Sequence, residues 1–448
     1  MGLLDDAISQ AAALADFRRT LHRSVFTARA DSLTDLSDAV LTHSGRVDSL
    51  PELSLEAAFR RQFPSVYDAL ANGRIDRGAL ERLLTAAAAR QGGPPVFALD
   101  ESAHPRRDAE TLPERELVSI SVGDRHLGCP GFWYSTLAQV DPTGPPWAAP
   151  VSARRSAPGA DRLAAACTQV REVLAGLPDA LLVCDAGYPP GRMVALLSGA
   201  PIALLVRVRS DRVLYRAPTA GPAGALGRPR RYGERLEMAS PGLLPPPDES
   251  AEGTDRHGRP VAVAAWHEVT AKPNRASPAV TGSVLLVSVG DGRMLPLRLF
   301  WSRADASSAR PDLLGCALAY LARFDIEHLF RFLKRTLGWR APALGDPAAV
   351  DRWTSVLLAC CAQIALARPL AAGDRLPWQR PVDPARLSPG RVRQQFSRIL
   401  AIVGTPAGAP KPVTPGRGSA AGRKRRLRKR QEVSRRGPPR PDPRRPAA

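Results

Sequence analysis

Over the first ninety residues, apolar side chains recur at helical spacing. The runs LSLEAAFRRQFPSVYDALANG and RIDRGALERLLTAAAARQGG each place them on one face of a helix, and the second stops at a Gly-Gly pair. Residues 1–90 are therefore expected to form a helical N-terminal region. From 91 the period shortens. PPVFALD is a short apolar strand that ends on Asp100, and RELVSISVGDRHLGC with FWYSTLAQV predicts further strands. ADRLAAACTQVREVLAGLPD reads as an amphipathic helix with a Gly-Leu-Pro stop, and it runs directly into ALLVCDAGYPP, a buried strand that ends on Asp185. A helix in GRMVALLSGAP and a strand in IALLVRVRSDRVLYR, continuing into an exposed arm, complete the first α/β unit over residues 91–210.

Between 211 and 304 the composition turns to Gly, Pro and short β-type runs such as PVAVAAWHEVT, TGSVLLVSVG and MLPLRLFWSR. This predicts a β-rich insertion with mobile loops, PPPDESAEGTDRHGRP chief among them. Helices return over 305–403, in YLARFDIEHLFRFLKRTLGW, DPAAVDRWTSVLLACCAQIALARPL and SPGRVRQQFSRILAIVG. Residues 404–448 have almost no apolar side chains and are expected to be a disordered basic tail.

Charge narrows the partners. The 448-residue chain carries a formal net charge of +20, which points first to nucleic acid and second to an anionic membrane surface. Residues 411–448 hold fourteen Lys plus Arg against Glu432 and Asp442, so this tail supplies +12 of that charge. Its run GRKRRLRKR, Gly422 to Arg430, suits a non-specific DNA-binding arm, or a localisation signal in a cell with a nucleus. The six cysteines form no CxxC pair and have no His partners at zinc spacing, as expected of reduced core thiols in a cytoplasmic protein. No signal peptide and no membrane span are expected, since no run approaches 18 consecutive apolar residues.

Three acids stand in unlike settings: Asp100 and Asp185 at strand ends, Glu327 within a helix whose face is otherwise basic. On one continuous helix, Tyr320, Arg323 and Lys334 would lie within about 40° of the direction of Glu327. Carboxylates gathered at one sheet edge repel unless a divalent cation sits among them, and hard oxygen ligands suit Mg²⁺ or Mn²⁺. Two such ions about 3.5–4 Å apart can clamp a phosphodiester, while the basic stripe holds the phosphates of the strand being cut. The plainer alternative is a turn or cap role for each Asp and solvated helix pairs of Glu327 with Arg323 or Arg331. Spacing alone does not choose.

Tyr320, Arg323, Glu327 and Lys334 reproduce a Y-x2-R-x3-E-x6-K signature, and in this the chain resembles the DDE transposases of the insertion-sequence 4-like group, including the related 701-type elements. FALDES resembles that family's first motif, an Asp followed two residues on by Ser or Thr, and LLVCDAGY its second, an Asp followed two residues on by Gly. The resemblance covers about residues 50–400. It implies an RNase H-like core interrupted by a β-rich insertion between the second Asp and the Glu. It also implies that Asp100, Asp185 and Glu327 are catalytic and hold two Mg²⁺ ions, with Mn²⁺ able to substitute. The activity implied is that of a transposase, cutting at the ends of its mobile element and joining the freed 3′-OH to target DNA, as a homodimer on paired ends. Tyr320, Arg323 and Lys334, with Arg331 beside them, would bind DNA, and the protein would reside on the nucleoid in the cytoplasm. Two positions depart from the pattern: Gly199 stands where some members have Phe, and Leu99 where a small residue is common.

Four further residues are candidate DNA contacts. Arg106 and Arg107, in the loop after the first acid, suit phosphate or a solvated turn. Trp266 and Trp301 suit stacking on a base or, the favoured reading, packing in a small β core. Two other functions fit the composition: a transposase-derived DNA-binding protein without catalysis, and a metal-dependent nuclease without strand transfer.

Overall fold

The computed structural model describes residues 2–90, 92, 94–122, 125–218, 231–273, 278–290, 296–305, 309–372, 380, 383, 386–412 and 429–434. Helices α1 (Gly2–Thr20), α2 (Ala30–Thr42), α3 (Leu50–Leu53), α4 (Pro64–Asn72) and α5 (Arg77–Ala89) form the N-terminal region, with a two-stranded sheet of β1 (Phe26–Ala28) and β2 (Arg74–Ile75) among them. The α/β unit follows as β3 (Val96–Pro105), β4 (Glu116–Val122), β5 (Arg125–Gln139), β6 (Ala149–Arg155), α6 (Arg162–Leu174), β7 (Ala180–Cys184), α7 (Pro190–Leu196) and β8 (Ile202–Arg207). Strands β9 (Val213–Tyr215), β10 (Arg235–Glu237), β11 (Glu249–Thr254), β12 (Pro260–Ala271), β13 (Val280–Val289) and β14 (Leu297–Arg303) make the insertion. Five helices close the chain: α8 (Leu313–Ala322), α9 (Asp325–Arg335), α10 (Pro347–Ala372), α11 (Pro389–Gln394) and α12 (Phe396–Val403).

All strands from β3 onward join one twelve-stranded mixed sheet, ordered β10-β9-β12-β13-β14-β8-β7-β3-β5-β4, with β11 on β12 and β6 on β5. Its centre is the core of the α/β unit. There β3, β7 and β8 run parallel while β5 is antiparallel to β3. The insertion continues this sheet: β14 pairs antiparallel with β8, with Trp301 opposite Leu205.

Alternation along the strands sorts the core into two layers. Phe97 and Leu99, Leu182 and Cys184, and Leu204 face α6 and α7, against Cys167, Val170 and Met193. Ala98, Val183 and Leu205 face the other way, toward the layer of Leu313, Ala317 and Trp353. By the same alternation Asp100 and Asp185 lie on the α8–α10 side, the first residues past the apolar runs of β3 and β7. Long, apolar α10 has the length and composition to cross a membrane, but it is buried as the helix on which α1, α2, α4, α5, α11 and α12 pack.

Three expectations change. The segment from Tyr320 to Trp339 is not one helix: α8 ends at Ala322 and α9 starts at Asp325, with Arg323 and Phe324 between them. Across that corner the amide bonds tighten to i→i−3, from Phe324 to Leu321, Ile326 to Arg323 and Glu327 to Phe324. The run PPPDESAEGTDRHGRP, expected to be a mobile loop, instead builds β11 and its turn, where Asp255 caps the His257 and Arg259 amides. The tail does not begin at 404. Arg18 bridges Asp38, Gln363 and the Gly404 carbonyl, while Arg60 and Asp31 hold the backbone of Ala407 and Gly408. Further on, the Ser434 amide donates to the Arg115 carbonyl and its own carbonyl accepts from Leu117, docking residues 429–434 on the edge of β4. The rest of the expected tail, 413–428 and 435–448, lies outside the described residues.

Candidate active site

Parallel pairing sets the first two acids side by side. Leu99 is in register with Cys184, so Asp100 and Asp185 stand side by side; Asp185 follows the end of β7, whereas Asp100, expected to end its strand, lies within β3, which runs on to Pro105 beside β5. Asp100 is mostly buried, at 15% side-chain exposure. Its Oδ1 accepts the Glu101 amide at 2.8 Å, and its Oδ2 lies 3.4 Å from Arg323 Nη1. Burial, then the like charges of Asp185 and Glu327, outweigh Arg323 and push its carboxyl up to about 7.

Asp185 turns the chain. Its Oδ1 accepts the Gly187 amide at 2.8 Å, and a Cβ at Gly187 would stand only 3.1 Å from that same oxygen. This accounts for the glycine two residues after the acid: a side chain there crowds the carboxylate.

Glu327 is exposed in the first turn of α9, which packs on β3. Lys334, two turns on, is mostly withdrawn from water, and that burial together with Arg340 holds its ammonium down to about 8 against the pull of Glu327 and Asp100. Arg323 occupies the α8–α9 corner, its Cζ 5.7 Å from the Tyr320 ring. Tyr320 itself is buried beside Arg323, with no close hydrogen-bond partner for its hydroxyl among the described residues. The corner thus brings all four signature residues to the acid edge, by a bend between two helices and not by a single stripe.

The other candidates fall elsewhere. Arg331 is exposed, about 40° round α9 from Glu327, and lines a cleft on the adjoining side of the helix. Arg106 is buried, donating from Nη1 to the carbonyls of Arg340 and Pro342 at 2.8 Å each, so it braces the chain after α9 and is not presented to DNA. Arg107 is exposed. Trp266 is buried with its Nε1 donating to the Pro245 carbonyl at 3.0 Å, and Trp301 is buried in β14, so both pack the sheet. Neither indole is presented to solvent for stacking.

Sequence reading missed three residues. Arg207 ends β8 beside Asp185 on the same face, and strand alternation would have placed it there. Arg340, whose Nη2 donates to the Ala103 carbonyl at 2.9 Å, stands over Lys334 and left no local signal. Asp325, two residues before Glu327, is fully buried and held by Arg256 from the β11–β12 turn, at 2.5 and 2.7 Å.

The acid edge offers hard oxygen donors whose mutual repulsion a divalent cation would relieve, and in that respect the residues fit such an ion. Among the described residues, however, no group of three or more His, Cys, Asp or Glu side chains is drawn together closely enough to hold one, because Arg323 rather than Glu327 is the near neighbour of Asp100.

Comparison with known proteins bears on this edge. The family described as DDE superfamily endonuclease matches residues 17–273, more than half of the chain, a span that includes Asp100 and Asp185 and ends before Glu327. No curated protein matches the sequence. Among solved structures, the chain is similar to a piggyBac transposase in a cryo-electron microscopy synaptic complex with hairpin DNA, at 10% identity and a TM-score of 0.40 over 89% of this chain and 78% of that one.

Proposed function

We propose that this chain, which belongs to the DDE superfamily endonucleases, is a DNA transposase that cuts at the ends of its own mobile element and joins them to target DNA. The observation that carries the reading is the acid edge: two aspartates on adjacent parallel strands, with a third acid near enough to help hold Asp100 at about 7. The finer placement, in the insertion-sequence 4-like group, rests on Tyr320, Arg323, Glu327 and Lys334. Action as a homodimer on paired ends, and a place on the nucleoid, belong to the same reading.

Asp100, Asp185 and Glu327 would hold Mg²⁺, or Mn²⁺ in its place, and the bound ion would supply Lewis acidity to the attacking and leaving oxygens of a phosphodiester. The remaining work belongs to the chain. Lys334 is a desolvated cation beside two of the acids, so a phosphate oxygen brought there meets a charge little screened by water. Arg323, now against Asp100, is positioned to exchange that carboxylate for a backbone phosphate. Arg207 extends the same cationic flank beyond Asp185. Binding between these cations orients the scissile bond over the acids, and orientation is the larger part of what such chemistry requires.

The test uses the full chain and a supercoiled plasmid bearing the DNA that flanks the gene on both sides. With Mg²⁺ the wild type should excise the flanked segment and insert it into a second plasmid. Asp100→Asn, Asp185→Asn and Glu327→Gln should each bind the ends and fail to cut. Cleavage near the wild-type rate by any of the three removes that residue from the site, and cutting without insertion marks a nuclease instead.

A further inference from the structure

The face of α9 adjoining the acid edge borders a second feature. His328, Arg331 and Arg335 recur at three- and four-residue steps, displaced about 40–100° round the helix from Glu327, and face a cleft of about 1020 Å³. The loop at 143–149, the β11–β12 turn, α10 and the segment from Arg386 to Gly390 complete its walls. Its floor is apolar, with Trp147, Phe332 and Leu387, and its rim carries Arg331, Arg335 and Arg386, none of which makes an ion pair among the described residues. Asp383 is the one acid among the described lining residues. Trp147 is fixed in place: its Nε1 donates to the Leu387 carbonyl at 3.0 Å, and the guanidinium of Arg368, which does not line the cleft, sits 5.3 Å from the ring centre.

An apolar floor with an aromatic wall and a row of uncompensated guanidiniums fits a ligand that is flat and apolar on one side and repeatedly anionic on the other. Unpaired nucleotides have that chemistry, and single-strand sites are built from cationic grooves and aromatic platforms. The volume lies near the upper end of the range of about 300–1,000 Å³ usual for enclosed ligand sites. It admits a few unstacked nucleotides, whose free base faces a stacked duplex does not offer. We propose that this cleft binds a short unpaired DNA segment, with phosphates on Arg331, Arg335 and Arg386 and bases against Trp147 and Phe332, as a site separate from the acid edge. The inference rests on the reading of the chain as a DNA-processing enzyme: a strand passing the acids on one side of α9 reaches the cleft by rounding the helix.

The experiment measures binding of the full chain to a fluorescent twelve-residue oligo(dT) and to a blunt duplex of equal length, in EDTA, across a salt series. Arg331→Ala/Arg335→Ala should make the log–log salt slope for oligo(dT) shallower by about 1.4, from about 0.7 per phosphate on a single strand, and leave the duplex slope nearly unchanged. Trp147→Leu should weaken oligo(dT) by about 5- to 150-fold, while Trp147→Phe keeps most of the affinity. Equal losses on oligo(dT) and duplex, or an unchanged oligo(dT) slope in an arginine variant that melts like the wild type, would overturn the proposal. So would full displacement of oligo(dT) by dTMP alone at matched nucleotide concentration, which would make the cleft a mononucleotide pocket. The arginine pair is exposed and helical, so it remains informative if Trp147→Leu fails to fold. Failure here is separable from failure of the proposed function: Asp100→Asn should lose plasmid cleavage and retain the oligo(dT) slope, whereas the arginine pair changes the slope in EDTA, where nothing is cut.

Discussion

Removing Arg256 should unfold the approach to the acid edge. Asp325 is completely buried, and both of its oxygens are held by the Arg256 guanidinium, at 2.5 and 2.7 Å, with Arg256 itself only 13% exposed. Breaking a buried pair by deleting one partner typically costs about 3–5 kcal/mol, because the surviving charge is left without water or a counterion. For Arg256→Ala in a chain of this length that corresponds to a fall in melting temperature of about 3–5 °C. Burial already pushes the Asp325 carboxyl up, with Arg256 opposing it. Without Arg256 the acid rises further and escapes the penalty by taking up a proton, so the loss should be larger at pH 8 than at pH 5. Arg256→Met/Asp325→Leu, which removes both charges and keeps the volume, should recover most of the loss. The assay is thermal unfolding of the three proteins at the two pH values, with plasmid cleavage measured in parallel. Cleavage should fall in the single variant and return in the double, as expected of a residue that acts by positioning α9. A single variant melting within about 1 °C of wild type at pH 8, or a double variant no better than the single, would refute the argument.

Three further outcomes follow from the same structure. Asp100 charges at a cost that is absent below its ordinary value of 3.8 and complete above about 7, so metal-free protein should lose stability as pH rises through that window. The bound on the loss is about 4 kcal/mol; Asp100→Asn should flatten the profile and Mg²⁺ should restore the wild type, and a wild-type melting temperature that climbs from pH 5 to 8 in EDTA would contradict this. Gly187→Ala should displace Asp185 and cut the cleavage rate by more than tenfold with little change in end binding, whereas an unaltered rate would show that the 3.1 Å crowding is absorbed elsewhere. Truncation after residue 410 removes +12 and should weaken specific and random DNA by similar factors, with a salt slope shallower by about 4–5 if about five charges engage phosphates; a loss confined to the element's own ends would refute a non-specific role.

What could be read from the chain was what local pattern encodes. Val96 to Leu99 and Ala180 to Cys184 are continuous apolar runs because parallel central strands are buried on both faces; the acid after each run was legible, but not that β3 continues past Asp100 to Pro105, where only β5 accompanies it. The bend at Arg323 and Phe324 was not legible, since no Gly or Pro marks it and both residues keep right-handed helical angles. Only the shift to i→i−3 bonds distinguishes it. The turn at Asp255 to Arg259 looked like a loop because its anchors, Asp325 for Arg256 and β12 for β11, are supplied by other parts of the chain. Residues 429–434 have no apolar pattern of their own and are held by backbone bonds to β4 and Glu110, the Arg430–Glu110 ion pair and Arg115 on the Gln431 carbonyl, which composition cannot reveal. Arg106 read as a phosphate ligand for a related reason: its partners are carbonyls more than two hundred residues away.

The placement of Glu327 is best understood through its neighbours. Within five residues the chain carries Arg323, Asp325 and Glu327: the first reaches the sheet at Asp100, the second is locked to the insertion by Arg256, and the third is exposed. The two ion pairs differ in cost of opening. Arg323 meets Asp100 at 3.4 Å, beyond good hydrogen-bond length, and Asp100 is an acid that burial and two like charges already disfavour as an anion. Arg256 meets Asp325 through two short bonds in a fully buried setting, where separation strands a charge. A charged ligand arriving at the edge therefore works against the weaker contact first. Arg323 can leave Asp100 while Asp325, held by Arg256, keeps the start of α9 in place. The insertion, far from the acids in sequence, supplies the fixed point.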